Sequence, residues 1–293
     1  MKAAAFDYIR ATGLANAVQL LVTHGDAAKL VAGGQSLLPA LNLRLMAPGI
    51  LIDIAHVPEL RGIAVDGNVL RVGALTRHVE LQSSPLIAEH APLLRTAIAH
   101  VAHPAIRNRG TIGGNLAHAD PASELPACML ALGATIRVTG PAGERLIAAR
   151  DFFTGVYSTA LRPDEILTGV DVPVRHAQDV FAFDELSRRS GDYAIVGLAC
   201  AGRLVSGQFA ALSLAYFAVG DHATLATKAA AALTGRAITL AAIAEAQAAL
   251  SQDLDPHDDP QATAAMRLHL ARVLLVRAVP QLVGPSASGL KSV

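Results

Sequence analysis

Two stretches with paired glycines limit most strongly what this chain can fold into. The first is VAGGQS, residues 31–36, and the second, at residues 107–127, is RNRGTIGGNLAHADPASELPA. Glycine is used where the backbone must approach another group closely or adopt a positive φ. Successive backbone N–H groups in such a segment can form a concave anion site. Each stretch is therefore a candidate phosphate loop, with a tight structural turn as the alternative.

The first stretch has the pattern of a strand, a turn and a helix. The apolar segment AKLV precedes Gly33 and Gly34, and Ser36 is placed to cap a helix through LLPALNLRL. Four leucines are predicted to share one face of that helix: Leu37, Leu38, Leu41 and Leu45. The stretch contains neither G-x-G-x-x-G nor the Gly-Lys-Ser/Thr of a Walker loop, so it predicts no Rossmann or P-loop site.

Together the two stretches predict a pyrophosphate site, which neither stretch predicts alone. Two double-glycine loops, each flanked by a hydroxyl residue, can face each other across two small lobes and grip a pyrophosphate, one loop per phosphate. A third motif, SRRSGDYAIVG at residues 187–197, places Tyr193 at the start of a strand. The tyrosine ring could stack there on a flat heteroaromatic group. An ordinary half-buried strand tyrosine is the alternative.

Composition indicates which kinds of binding partner and which cellular compartment to expect. With 24 basic and 24 acidic residues the formal net charge is zero, which gives no indication of a nucleic-acid partner. The two cysteines, Cys128 and Cys200, each lie in an apolar run, so we expect free buried thiols and no iron–sulfur cluster on this chain. No secretory h-region and no run of ~20 apolar residues occurs, which favours the cytoplasm and no membrane span.

The histidines and serines offer no clear catalytic or metal site. His100, His103 and His118 are the side chains that could form a metal site. Their spacing differs from the i, i+4 pair of H-E-x-x-H, so we expect no metal ligand on this chain. No G-x-S-x-G elbow occurs either, and the sequence identifies no catalytic acid, base or nucleophile.

Changes in pattern divide the chain, whose 293 residues leave room for two or three domains. Residues 1–55 alternate helix and strand signals, and residues 56–177 mix strands and helices, with a hairpin at GPAG. Residues 178–284 begin with three antiparallel strands and continue as an Ala-rich helical part. The tail, residues 285–293, is expected to be disordered. The predicted fold class is therefore α+β.

The three motifs occur together in a known family. AGGQSLLPALNLRL, RNRGTIGGNLAHADPASELPA and SRRSGDYAIVG, in this order, resemble the signatures of the FAD-binding medium subunit of the molybdenum hydroxylases, the xanthine oxidase superfamily. The layout is most similar to bacterial heterotrimers of the carbon monoxide dehydrogenase and quinoline oxidoreductase type. The resemblance implies a two-lobed, PCMH-like FAD-binding domain, followed by a C-terminal domain with a three-stranded antiparallel sheet and a helical bundle.

The resemblance also implies which residues bind FAD. Glu124 would contact the ribityl or phosphate region, and Leu167 would pack on the isoalloxazine. Tyr193 would lie near the ring face, in a pocket shaped by Asp192 and Arg188. The pyrophosphate would be held by the backbone of two runs: Ala32, Gly33, Gly34, Gln35 and Ser36, and Thr111, Ile112, Gly113, Gly114 and Asn115.

For function, the resemblance implies that the chemistry is divided among chains. A large subunit would carry the molybdenum cofactor and hydroxylate the substrate, and a small subunit would relay electrons through two [2Fe-2S] clusters. This chain would pass the electrons from FAD to an external acceptor, within a dimer of heterotrimers. Asp184 and Glu185 stand where some relatives carry a lysine near the flavin, so we expect acceptor preference to depend on that region.

Two other functions remain open at the level of sequence. One is a stand-alone FAD-dependent oxidoreductase of a related two-lobed fold, which would need an acid or base over the flavin. The other is an assembly subunit that has lost its flavin. The intact glycines at positions 33, 34, 113 and 114 argue against that loss.

Overall fold

The N-terminal part of the computed structural model, which describes residues 2–284, is a small parallel sheet with two helices. The predicted disordered tail at 285–293 lies outside the described residues. In chain order the elements are β1 (Asp7–Arg10), α1 (Leu14–His24), β2 (Ala28–Val31), α2 (Leu37–Asn42) and β3 (Ile50–Asp53). The sheet order is β1-β3-β2. The central strand, β3, is buried along its whole length, as its apolar run predicts. Gly25 ends α1 at φ +49, as predicted.

The start of α2 differs from the prediction. Ser36 does not cap the helix, because its own backbone is helical and its hydroxyl accepts no N–H. The helix ends after six residues and the chain turns at Arg44, which has φ +58. Leu41 is therefore the one fully buried leucine of the predicted apolar face, and Leu38 and Leu45 are exposed.

The middle of the chain forms a five-stranded antiparallel sheet and a separate two-stranded ribbon. The strands are β4 (Ile63–Asp66), β5 (Val69–Gly73), β6 (Thr135–Gly140), β7 (Gly143–Ala148), β8 (Phe153–Gly155), β9 (Ser158–Thr159) and β10 (Ile166–Pro173). The large sheet has the order β4-β5-β10-β6-β7, and β8 pairs with β9. The hairpin predicted at GPAG is confirmed, with Gly140 opposite Gly143.

Seven short helices accompany this sheet. They are α3 (His78–Ser83), α4 (Pro85–His90), α5 (Pro92–Ile98), α6 (Pro104–Arg107), α7 (Ile112–His118), α8 (Glu124–Ala131) and α9 (Ala149–Phe152). Apolar residues of most of these helices share one hydrophobic core with the sheet. α8 is buried at every position, so the second glycine stretch leads directly into the core.

The C-terminal part is an antiparallel sheet with three helices, as predicted. Its elements are β11 (Asp179–Ser187), β12 (Ala194–Val205), β13 (Gln208–Phe217), β14 (Thr224–Leu225), α10 (Thr227–Ala231), α11 (Leu240–Asp253) and α12 (Ala264–Val283). The three long strands are those expected from sequence, and the two-residue β14 adds a fourth beside β13. The expected domain boundaries near 55 and 177 fall between β3 and β4 and between β10 and β11, and they remain predictions.

The C-terminal sheet separates two cores because its side chains alternate between faces. Phe183 and Phe217 face the middle part, where they join the core that contains α5 and α8. Leu198 and Tyr216 face α11 and α12. Through the face that carries Phe183 and Phe217, β11 and β12 pack against α5 and α8, next to the glycine stretches.

We expect Gly197→Ala to destabilise the C-terminal sheet. A Cβ atom at position 197 would lie 1.9 Å from Cζ of Phe217, whose ring is fully buried and stacked on Phe183. Overpacking of this kind costs about 3 kcal/mol at the upper end of its usual range. Urea unfolding followed by circular dichroism measures the change. The control is Gly220→Ala, where the nearest atom would be 3.5 Å away, and a similar loss in both variants would contradict the explanation.

Candidate functional site

The two glycine stretches lie against each other. Gly33 packs on the backbone of the second stretch, since a Cβ atom at position 33 would lie 2.2 Å from the carbonyl oxygen of Arg109. Gly114 approaches the first stretch in turn, because its Cβ atom would lie 4.0 Å from Cβ of Ala32. The structure therefore brings the two predicted phosphate loops together, and glycine at 33 is required by this contact between backbones.

The first loop presents unpaired backbone donors. Gly34 adopts φ +71, which glycine takes without steric cost. The side-chain amide of Gln35 donates a hydrogen bond from Nε2 to the Gly33 carbonyl at 2.9 Å. Within residues 2–284, no group accepts a hydrogen bond from the N–H groups of residues 33–37. Five consecutive free N–H groups in a turn form a nest of the kind that binds anions.

The second loop differs, because its N–H groups already have partners. Gly113 donates to the Ala74 carbonyl at 2.8 Å, and Gly114 donates to the Thr111 hydroxyl, which caps α7, at 3.2 Å. The same holds for its neighbours, so four N–H groups are bonded within the chain: those of Ile112, Gly113, Gly114 and Asn115. The loop is thus fixed to the middle sheet, and in this structure the first loop is the one with donors to offer.

A cavity of about 250 Å³ opens beside both loops. Its walls carry three guanidinium groups and one imidazole, and no acidic side chain lines it. The lining residues are Ala32, Gly33, Ala55, His56, Arg61, Leu75, Arg77, Arg109 and Thr111. Beneath the second loop, burial lowers the pKa of His78 to about 4, so that ring adds no charge at neutral pH. The cavity is therefore positively charged and suits an anionic group.

Aromatic side chains gather at the opposite end of α7. The ring of His118 lies 4.9 Å from that of Tyr157, centroid to centroid. Tyr157 has φ +50, a conformation that non-glycine residues rarely adopt and that is frequent at functional sites. Partial burial of the hydroxyl group and then the nearby Asp120 raise the pKa of both Tyr157 and Tyr193, so both hydroxyls stay protonated at neutral pH. Tyr157 and Tyr193 are more than half exposed, and their rings could contact a flat ligand.

Glu124 joins the second loop to this aromatic end. It begins α8 directly after Ser123, whose hydroxyl donates to Oδ1 of Asn115 at 2.9 Å. The side chain is buried, and burial raises the pKa of Glu124 to about 8, with the nearby Glu185 acting in the same direction. Burial therefore favours the protonated form of this carboxyl group near neutral pH.

The remaining residues that the sequence predicted near the flavin lie on β10, on β11 and in the turn between β11 and β12. Leu167 is buried in β10 beside a bulge, so its side chain belongs to the core. Asp192 accepts the N–H of Tyr193 at 3.0 Å, whereas Arg188 reaches away to the carbonyl of Gln261. Of the acidic pair on β11, Asp184 lies 3.7 Å from Arg277, and Glu185 is buried beside His100.

Sequence reasoning missed several residues that the fold brings to the site. The cavity arginines come from separate loops and meet beside the two glycine stretches. Asp120 and Tyr157 meet at the far end of α7, and His100 meets Glu185. Only the tertiary structure shows these contacts. One signal was available, since Arg109 and Asp120 lie inside the second glycine stretch. Within residues 2–284, no three His, Cys, Asp or Glu side chains are grouped to hold a metal ion. Cys128 and Cys200 are free and buried, as predicted.

Comparison with known proteins assigns the family. Residues 4–175 match the model of the FAD binding domain in molybdopterin dehydrogenase, and residues 181–282 match the CO dehydrogenase flavoprotein C-terminal domain. The chain belongs to the FAD-binding subunits of the molybdenum hydroxylase family. The resemblance inferred from the three motifs and the predicted fold class are both confirmed, and the chain is an oxidoreductase subunit whose cofactor is FAD.

Individual relatives match over nearly the whole chain. Subunit alpha of the 6-hydroxypseudooxynicotine dehydrogenase complex from Paenarthrobacter nicotinovorans is 40% identical over 94% of both chains. The carbon monoxide dehydrogenase medium chain of Afipia carboxidovorans is 37% identical over 94% of this chain and 95% of its own. The structure of carbon monoxide dehydrogenase from Hydrogenophaga pseudoflava superposes with a TM-score of 0.94 at 38% identity, covering 96% of this chain and 98% of its own.

A solved enzyme with another substrate is also similar. Quinoline 2-oxidoreductase from Pseudomonas putida 86 superposes with a TM-score of 0.91 at 38% identity, covering 97% of this chain and 98% of its own. These relatives are subunits of complexes with several chains. None of the helices described here has the length and apolar character needed to cross a membrane.

We expect Gly33→Ala to weaken FAD binding. The added methyl group would meet the Arg109 carbonyl and push the two loops apart, which distorts the nest of residues 33–37. The dissociation constant for FAD should rise at least about tenfold, equivalent to ~1.4 kcal/mol. Quenching of flavin fluorescence measures it, and circular dichroism verifies the fold. Gly49→Ala is the matched control, because its Cβ would lie at an ordinary 3.5 Å from Ala27. Unchanged FAD affinity in folded Gly33→Ala would contradict the role of this contact.

Proposed function

We propose that this chain is the electron-transfer flavoprotein subunit of a molybdenum hydroxylase, and that it passes electrons from FAD to an external acceptor. The observation that carries the proposal is the contact between two glycine loops, with a donor nest and a basic cavity on one side and an aromatic cluster on the other. When bound, FAD would supply the redox chemistry. The residues of the chain bind it, orient it and set its electrostatic environment.

The pyrophosphate of the cofactor, which lies between its two ring systems, fits the basic cavity. The free N–H groups of residues 33–37 would bind the pyrophosphate, and Arg61, Arg77 and Arg109 would balance its charge. The predicted backbone contacts of Ala32, Gly33, Gly34, Gln35 and Ser36 are kept in this proposal. For Thr111, Ile112, Gly113, Gly114 and Asn115 the proposed role is to position the first loop, since four of their N–H groups are already bonded.

The ring end fits the aromatic cluster. α7 has seven residues, so it separates the two glycine loops from His118 and Tyr157 by roughly 10 Å at 1.5 Å per residue. An extended dinucleotide can follow such a helix from the cavity to the aromatic rings. Tyr193 and Tyr157 would flank the isoalloxazine, with Asp192 fixing the turn before Tyr193 and Glu124 between the two ends. Leu167 would support the ring from the core.

The partner chains complete the proposed electron path. We infer that a large subunit carries the molybdenum cofactor and that a small subunit carries two [2Fe-2S] clusters, from which the flavin takes its electrons. Two cysteines, both free and buried, agree with placing the clusters on another chain. A dimer of such heterotrimers in the cytoplasm is the proposed assembly, with acceptor preference set near Asp184 and Glu185.

The other two functions have less support. A stand-alone oxidoreductase would need a substrate site and a dedicated acid or base over the flavin, and no such group stands out among the described residues. A flavin-free assembly subunit would have no use for five unpaired donors beside three arginines. Unpaired N–H groups at a helix start, next to clustered cations, favour the binding of an anion.

The first test is the visible spectrum of the chain purified with its neighbouring subunits, with the released cofactor identified by mass. We expect a flavin spectrum and about one FAD per chain, and bleaching of the flavin when the substrate of the large subunit is added. Bleaching that disappears when the iron–sulfur subunit is left out would support the proposed route. A complex without flavin that also fails to take up added FAD would refute it.

A further inference from the structure

An aspartate at the end of β3 holds the turn that forms one wall of the basic cavity. Strands β2 and β3 pair in parallel, with Val31 opposite Asp53, so the loops that follow them start side by side. The loop after β2 is the first glycine loop, and the loop after β3 brings Ala55 and His56 to the cavity. Ligands bind at the carboxyl ends of parallel strands in many folds. Asp53 itself is buried and is not one of the residues that line the cavity.

Three groups fix the Asp53 carboxylate. Its Oδ1 atom accepts the N–H of Ala55 at 2.8 Å, which closes an Asx turn. Its Oδ2 atom accepts a hydrogen bond from the hydroxyl group of Tyr8 and lies 3.6 Å from Nε of Arg10, and both of these residues are on β1. Burial raises the pKa of Asp53, but the hydrogen bonds from Tyr8 and Ala55 outweigh it and lower the pKa below its usual value. The group is therefore a carboxylate at neutral pH, with both oxygens engaged.

The turn that Asp53 closes anchors a cavity arginine. Nη2 of Arg61 donates to the Ala55 carbonyl at 2.6 Å. The backbone next to Arg61 is fixed as well, because the Leu60 carbonyl accepts the N–H of Leu75 at 2.7 Å and the Leu60 side chain is fully buried. A guanidinium group has several N–H donors, so the bond to Ala55 leaves others for a phosphate. Hydrogen bonds on the two sides of Ala55 therefore connect Asp53 to a charge in the cavity.

We propose that Asp53 is a positioning residue for the pyrophosphate of FAD, because its carboxylate holds the Ala55 turn and the turn holds Arg61 in the cavity. The inference rests on the proposed function, since it takes the cavity arginines to bind the pyrophosphate. Asp53 acts on the cofactor through Arg61 and does not touch it. A long side chain that is already held in place loses less conformational freedom on binding. The anchored Arg61 therefore binds phosphate more tightly than an unanchored arginine would.

The negative charge of Asp53 would by itself have the opposite effect on FAD binding. A carboxylate near an anionic ligand repels it, so removal of the charge alone should strengthen binding. The positioning role predicts weaker binding once the acceptor for the Ala55 N–H is lost. Asp53→Asn removes the charge and keeps Oδ1 as an acceptor, whereas Asp53→Ala removes both. The two variants therefore separate the charge of the side chain from its role in the turn.

The test is the dissociation constant of FAD for the full chain, in its complex if the chain alone does not retain FAD, measured by fluorescence quenching. Asp53→Ala should weaken binding about fivefold, and Asp53→Asn should stay within about twofold of the wild type. Arg61→Ala should weaken binding about tenfold or more, because it removes a charged donor to the phosphates. Asp66→Ala is the matched control, since it removes an exposed carboxylate that pairs with Arg71 on the middle sheet, and it should bind FAD as the wild type does.

A double-mutant cycle separates positioning from a general loss of stability. In the Arg61→Ala background, Asp53→Ala should change FAD affinity by less than about twofold, because the group that it positions is already gone. In the Arg77→Ala background it should keep its effect of about fivefold. Arg77 lines the cavity from the segment before α3, and among the described residues it shares no hydrogen bond with Asp53 or Ala55.

The salt dependence of FAD binding gives a readout that a merely structural role would not move. Salt screens the attraction between an exposed guanidinium group and a phosphate, so the dissociation constant of the wild-type protein rises with salt concentration. Asp53→Ala and Arg61→Ala should both make this rise less steep, because both withdraw the same cation from the pyrophosphate. Asp53→Asn should keep the wild-type steepness.

Tyr8→Phe covers the case in which Asp53→Ala does not fold, as judged by circular dichroism. It removes only the hydroxyl group that holds Oδ2, and the residue is half exposed. It should weaken FAD binding about twofold, and this loss should vanish in the Arg61→Ala background. Tighter binding by Asp53→Ala, or an equal loss with and without Arg61, would overturn the inference and leave the proposed function intact; for Tyr8→Phe, unchanged affinity would do the same. Unchanged affinity in Arg61→Ala, Arg77→Ala and Arg109→Ala would overturn the proposed pyrophosphate site, and the inference with it.

Discussion

The contact between Gly33 and the backbone of Arg109 and Gly110 is the constraint on which the site depends. It joins a loop of the N-terminal parallel sheet to a loop fixed on the middle sheet, with no room for a side chain between them. The second loop is rigid because its N–H groups are bonded to Thr111 and to the carbonyls of Ala74 and Thr76. The first loop, held against it, can then leave residues 33–37 unpaired without collapsing. One loop supplies the support and the other supplies the donors.

The cavity at the glycine loops and the far end of α7 also differ in charge. The cavity at the loops is lined by arginines and contains no acid, whereas the far end of α7 carries Asp120, Glu124 and Glu185 close to protonated tyrosines. A cofactor whose pyrophosphate lies between two ring systems would match this pattern with its phosphates at the cavity. Reversing it would exchange the two rings and leave the phosphates in place, so charge would position the pyrophosphate and the ring contacts would select the orientation.

Local sequence signals predicted the elements and the paired loops because those features depend on neighbouring residues. The apolar run of β3, the glycine after α1 and the turn between β6 and β7 are examples. Ser36 shows the limit, since a capping residue type cannot reveal that α2 is one short turn in which Ser36 is already helical. The arginine-lined cavity was beyond reach because its members come from separate loops of the N-terminal and middle parts. The His100–Glu185 pair was beyond reach because its members meet only when the C-terminal sheet packs on α5.

Packing of that sheet also explains why an acid is tolerated in the core. Glu185 occupies an inward position of β11, two residues after Phe183, so the alternation of the strand that buries the phenylalanine buries the carboxylate as well. A hydrophobic residue at 185 would give a more stable interface, because an uncompensated buried charge is expensive. His100 compensates part of that cost, and its ring also packs 5.0 Å from the ring of Phe183. The interface thus keeps a buried pair of titratable side chains on the face of β11 that packs against α5.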